Sequence, residues 1–259
     1  MSLPKEKSYR FIGVVIDFET GGLKCQECAI TQVSAHAVDL GTFETLGTFV
    51  RYVFPYNKKD IGKKKKVLRS KYEDENGEDE FLEYSEQALN VTGITMDMLR
   101  EKGQPIQEVG QDLLKFVSEF SDGLPKICKP MLIGHNIDFD KGFFCQLMEY
   151  TGLMSEAKKI FRCTTDFYGN TDFLTLDTIL LSQLAFAHRG DITVYKLEYV
   201  CEYLGINLDD AHDADADVTA TQNVLSVITH KIRNGSGEDG DEEGAVMAKT
   251  EKTRKHFKI

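Results

Sequence analysis

Residues 14–22 read VVIDFETGG. Three apolar residues of a buried strand run into Asp17, Phe18 and Glu19, then into Thr20 and two glycines. Alternate residues of a strand share a face, so Asp17 and Glu19 project together and Phe18 points the other way. Two carboxylates side by side raise each other's pKa or need a cation between them. Something positive is expected at the end of that strand.

The rest of the chain can bury such a strand. Its 259 residues are 41% hydrophobic, enough for one large domain. The alternation of elements along the chain points to an α/β domain. Segments 9–18, 29–38 and 45–54 read as three strands of an antiparallel meander, with DLGTFE as the second turn. Helices and two further strands follow from Ser85. The spacing predicts helices over 105–120, 139–153, 178–188 and 193–206, and a last helix from the HDADADV segment to about Asn234. Short strands are expected at 131–136 and 173–177, with Asp177 capping the helix after it.

Residues 1–8 read as a tail, 9–232 as the domain, 57–80 as a charged insertion and 233–259 as a disordered charged tail. The four lysines 63–66 of the insertion suit either a solvated loop or contact with a nucleic-acid backbone. The net charge of −11 argues against a protein that coats nucleic acid through a broad basic surface, though not against one that grips a few nucleotides through metal ions. No run is apolar for the ~20 residues of a membrane helix and the N-terminus has no signal-like segment, so no membrane partner is expected. Six cysteines in a chain of this size are expected to be reduced thiols, which places the protein in the cytoplasm.

Two further acidic groups stand at helix starts: GHNIDFD at 134–140 and HDADADV at 212–218. Each alone is explained by capping and the helix dipole. On the last helix Asp217 lies in line with Ala220, Thr221, Val224 and Ile228, so its carboxylate is carried toward the interior.

Taken in order, IDFETGG, HNIDFD and HDADADV resemble the three motifs of the DEDDh 3′→5′ exonucleases, an RNase H-like group that includes the proofreading subunit of bacterial DNA polymerase III. The resemblance spans about residues 9–232 and implies a five-stranded mixed sheet flanked by helices. Carried over by motif position, it implies metal-binding carboxylates at Asp17, Glu19, Asp140 and Asp217, with His212 as general base. Asp138 falls at a variable position, and the family's histidine-to-aspartate spacing of five selects Asp217 over Asp213 and Asp215, which serve the helix N-terminus. It also implies that Thr20, Gly21 and Leu23 touch the 3′-terminal nucleotide and that Asn136 helps hold the site. Four hard oxygen donors suit two divalent cations, Mg²⁺ or Mn²⁺, rather than zinc, and the implied reaction is two-metal phosphodiester hydrolysis at a 3′ end. The glycines after Glu19 would let backbone approach the terminal nucleotide closely.

DFETGG looks closer to the DNA-directed members than to the oligoribonucleases, so DNA is the expected substrate and an RNA-directed exoribonuclease the alternative. The basic terminal peptide KTEKTRKHFKI is a segment for a DNA polymerase, for nucleic acid, or for nothing. Three other readings fare worse. An EF-hand loop from Asp213 would want Gly and Glu where the chain has Val218 and Val224. An aspartyl phosphatase would want a second Asp where Glu19 stands. The CxxC of Cys25 and Cys28 has no second pair to complete a zinc site.

Overall fold

A computed structural model describes residues 9–58, 82–207 and 214–234. Its frame is a five-stranded sheet in the order β3-β2-β1-β4-β7. The strands are β1 (Ile12–Thr20), β2 (Ile30–Asp39), β3 (Thr45–Tyr52), β4 (Met131–Gly134) and β7 (Thr175–Asp177). The first three form the expected antiparallel meander, while β4 runs parallel to β1 and β7 parallel to β4. The sheet is therefore mixed, as the resemblance implies.

β1 sits at the centre and is covered on both faces, which explains its continuous apolar run. Val14, Ile16 and Phe18 join the core formed with helices α3 (Ile106–Ser121) and α4 (Ile137–Tyr150), among them Leu113, Val117, Phe143 and Leu147. Val15 faces the other way, into a cluster with Ile133, Val218 and Leu225 that seats the long helix α8 (Ala214–Asn234). By strand alternation Asp17 and Glu19 follow Val15 onto the α8 side, opposite Phe18. Burying the apolar part of this sandwich contributes roughly 25 cal/mol per Å² removed from water.

Helices α6 (Thr178–Ala185) and α7 (Leu197–Leu204) pack with α8. Three short helices, α1 (Glu86–Thr92), α2 (Met96–Lys102) and α5 (Met154–Ile160), complete the helical layers. The stretch expected as one strand at 173–177 is divided. Leu174 donates its N–H to Arg162 and accepts from Leu132, so its peptide groups serve two different partners. The residues before it pair in a small hairpin of β5 (Cys163–Thr165) with β6 (Thr171–Phe173). Its turn is closed by Asp166, which accepts from the Asn170 backbone, and by Gly169 at φ 86°.

Candidate active site

The bulge between Glu19 and Thr20 ends the regular pairing of β1 with β2 at the sheet edge where the acids gather. Asp17, Glu19 and Asp217 each offer a carboxylate oxygen, and these oxygens lie within 4.8 Å of one another. Two come from one face of β1. The third comes from the first turn of α8, a helix that Val218 and Leu225 seat on the sheet while Ala220, Val224 and Ile228 pack against α6 and α7. All three donors are hard oxygens, a set that fits a hard divalent cation and not a thiol-seeking one.

Asp140 stands beside this group and not within it. β4 pairs with β1 only as far as Val15, because the chain leaves the sheet after Gly134 to begin α4. Beyond that point the Phe18 N–H, between the two acids of β1, donates to Asp140 Oδ1 at 3.0 Å. The carboxylate thus replaces a missing strand partner. Burial pushes Asp140 up to about 8, and the nearby charges of Glu19 and Asp177 push it in the same direction, while the Phe18 amide pulls against them.

Asn136 begins α4 in the left-handed region at φ 70°. Its N–H donates to Asp177 Oδ1 at 3.2 Å, and the same oxygen caps α6 through Ile179 N–H at 2.8 Å. Asn136 contributes this backbone contact, and its side chain makes no capping bond. The neighbouring His135 Nε2 lies 2.7 Å from the Tyr195 carbonyl and Nδ1 lies 2.8 Å from Thr178 Oγ1. A carbonyl can only accept, so Nε2 donates to Tyr195, while the Thr178 hydroxyl beside Nδ1 also reaches the Gly134 carbonyl at 3.2 Å. Burial lowers the pKa of this ring, which favours its neutral form. His135 is a structural bridge between β4, α6 and the segment before α7.

A cleft of about 520 Å³ opens beside Glu19. Its walls include Phe18, Thr20, Leu23, Ala88, Val91 and Phe139. Leu23 is 85% exposed and Val91 55% exposed at its edge. Thr20 is buried, and its hydroxyl donates to the Gly22 carbonyl at 2.7 Å, shaping the turn rather than facing solvent. Gly21 has a different reason to be glycine from the one read in the sequence. A Cβ there would stand 2.2 Å from the Glu83 carbonyl oxygen and 2.9 Å from Tyr84 Cα, so the close approach is to the chain's own backbone.

The α1 wall was not read from the sequence. In the structure α1 buries none of its residues even though it carries Ala88, Leu89 and Val91, and Ala88 and Val91 line the cleft. His212 and Asp213 lie outside the described residues, as do Lys63–Lys66 of the insertion and the basic terminal peptide. Asp138 is exposed and pairs with Lys141 at 3.0 Å, away from the three-acid group. Cys25 and Cys28 are free thiols that burial holds above the usual thiol range. Among the described residues no helix is long and apolar enough to cross a membrane.

The profile of the Exonuclease (RNase_T) family matches residues 14–225. A PolC-type DNA polymerase III of Lacticaseibacillus paracasei is 28% identical over 141 residues, 54% of this chain and 8% of the polymerase. Exonuclease I of Escherichia coli in complex with a dT13 oligonucleotide shares the fold at a TM-score of 0.60 and 20% identity, over 87% of this chain and 42% of that one. The zinc-bound form of the same enzyme with single-stranded DNA gives a TM-score of 0.59 at 19% identity, over 88% and 42%. The chain spans less than half the length of each of these two proteins.

Proposed function

Because the chain belongs to the Exonuclease family, we propose that it is a 3′→5′ exonuclease that releases nucleoside monophosphates from single-stranded or frayed DNA. The convergence of Asp17, Glu19 and Asp217 within 4.8 Å, beside a cleft of nucleotide size, carries the reading. Asp140 joins them as the fourth acid, held by the Phe18 amide. Two divalent cations, Mg²⁺ or Mn²⁺, held by these carboxylates would activate water and neutralise charge on the scissile phosphate.

The chain's own residues supply the rest. The cleft receives the last nucleoside, with Leu23, Ala88 and Val91 offering apolar contact to base and sugar. Asp140 and the Phe18 amide hold the end of β1 in place, so that Asp17 and Glu19 do not have to be ordered when substrate arrives. His212, five residues before Asp217, takes the proton of the attacking water. DNA is favoured because structures sharing this fold include complexes of Exonuclease I with DNA oligonucleotides, and because of the DFETGG motif.

The test is a digest of matched DNA and RNA oligomers, labelled at the 5′ end and supplied with Mn²⁺. Stepwise shortening of DNA ahead of RNA is expected, with activity abolished in Asp17→Ala. An intact DNA strand, or an Asp17→Ala protein as active as the parent, would overturn the reading.

A further inference from the structure

Behind the acid group, β2 and α8 are joined by a polar chain centred on His36, which is only 6% exposed. The hydrogen-bond roles in it are fixed from one end. The Phe43 carbonyl can only accept, so the Gln222 amide nitrogen faces it at 3.2 Å and also donates to Thr45 Oγ1 at 2.8 Å. Gln222 Oε1 is thereby turned toward His36 Nδ1 at 3.0 Å, and that nitrogen must donate. On the other side of the ring, Nε2 meets Asp215 Oδ1 at 3.2 Å, an oxygen that also accepts from Ser34 at 3.1 Å. A carboxylate already taking one donor is an acceptor here as well. Both ring nitrogens therefore face acceptor oxygens.

Position gives this arrangement its consequence. Ser34 is the cross-strand partner of Asp17, and His36 the partner of Val15. Asp215 is in the first turn of α8, two residues before Asp217, and Gln222 lies two turns further along. The chain of contacts therefore runs from the strand beside Asp17 to the turn that carries Asp217.

We propose that His36 is a positioning residue for the carboxylate site: by bridging Asp215 and Gln222, it fixes the start of α8 against β2 and so sets where Asp217 stands relative to Asp17 and Glu19. The proposal rests on the reading of these acids as a cation site. Outer partners of metal ligands typically change affinity by about 10–100-fold when removed, and His36 acts one step further through Asp215.

The two ring nitrogens can be separated by substitution. His36→Gln keeps an N–H at the reach of Nε2 toward Asp215, and His36→Asn keeps one at the position of Nδ1 toward Gln222. Mn²⁺ binding to the full-length protein is measured by calorimetry without substrate, and melting is measured without cation. His36→Asn is expected to bind Mn²⁺ about 10-fold more weakly, while His36→Gln stays within about threefold of the parent, at similar losses of melting temperature. Equal Mn²⁺ affinity in His36→Asn and the parent, or equal weakening in both variants, would overturn the assignment. Failure of the parent to bind Mn²⁺ at all would instead count against the cation site, and a parent that binds Mn²⁺ without cleaving DNA would count against the nuclease reading alone.

Discussion

The Phe18 N–H donates to Asp140 Oδ1 at 3.0 Å, across 122 residues of sequence. This bond ties the first turn of α4 to the gap between Asp17 and Glu19, at the point where β4 has left β1 unpaired. It binds a carboxylate that burial has pushed up to about 8. The pair is both an anchor and a stored cost.

That cost gives a pH dependence for the cation-free protein. Asp140 has an ordinary value of 3.8 unfolded and about 8 folded. Between these values the folded chain keeps a proton that the unfolded chain has lost, so stability falls as pH rises through this window and is unaffected below it. Asp140→Asn keeps an acceptor for Phe18 and has no proton to lose. It is expected to exceed the parent at pH 8 by at least about 1 kcal/mol, since one pKa unit is worth about 1.4 kcal/mol, and to show a flatter slope. Urea unfolding at pH 5 and pH 8 measures both.

Removing an acid from the three-carboxylate group should separate function from stability. Asp217→Asn relieves repulsion among oxygens within 4.8 Å of one another, so the cation-free variant is expected to melt a few degrees higher. Its exonuclease rate should fall more than about 100-fold, since even outer partners of a metal ligand are worth about 10–100-fold. Melting and a timed digest on one preparation test the pairing.

Gly21→Ala places a methyl group against the Glu83 carbonyl, where 2.2 Å is available. The backbone bonds from Ser85 to Gly21 and from Ala29 to Glu83 hold this contact on both sides, leaving little room to relax. A loss of about 2–3 kcal/mol is expected, together with a raised KM because Glu83 and Ser85 line the cleft. Equilibrium unfolding and steady-state kinetics report the two effects.

Tyr56→Phe removes a hydroxyl that accepts from the Ile30 N–H at 2.9 Å and donates to Gln146 at 3.1 Å. Gln146 in turn donates to the Cys25 and Cys28 carbonyls. Two buried groups lose their partner at once, which is expected to cost about 2 kcal/mol. Denaturant titration of this variant checks it.

Much of this was legible in the sequence, for identifiable reasons. Asp17 and Glu19 share a face because a strand alternates, and Phe18 lies in the opposite core as that rule requires. Asp217 follows from its place on the apolar stripe of α8. Asp140 could be chosen over Asp138 only by resemblance, because the Phe18 bond that distinguishes it depends on where β4 stops. Residues 173–177 read as one strand because FLTLD alternates whether or not Leu174 changes partners, so Phe173 was joined to β7 and the hairpin of β5 and β6 that it closes was not read at all. The α1 wall and the Gly21 contact with Glu83 come from segments meeting across the chain, and local pattern carries no trace of such meetings.

The account depends on Asp17, Glu19 and Asp217 forming a place for a cation. Anomalous diffraction from a crystal of the full chain soaked in Mn²⁺ reads this without recourse to turnover. A manganese peak bounded by those three carboxylates is the result expected. Ordered carboxylates with no peak between them, or manganese bound only at another surface, would contradict it.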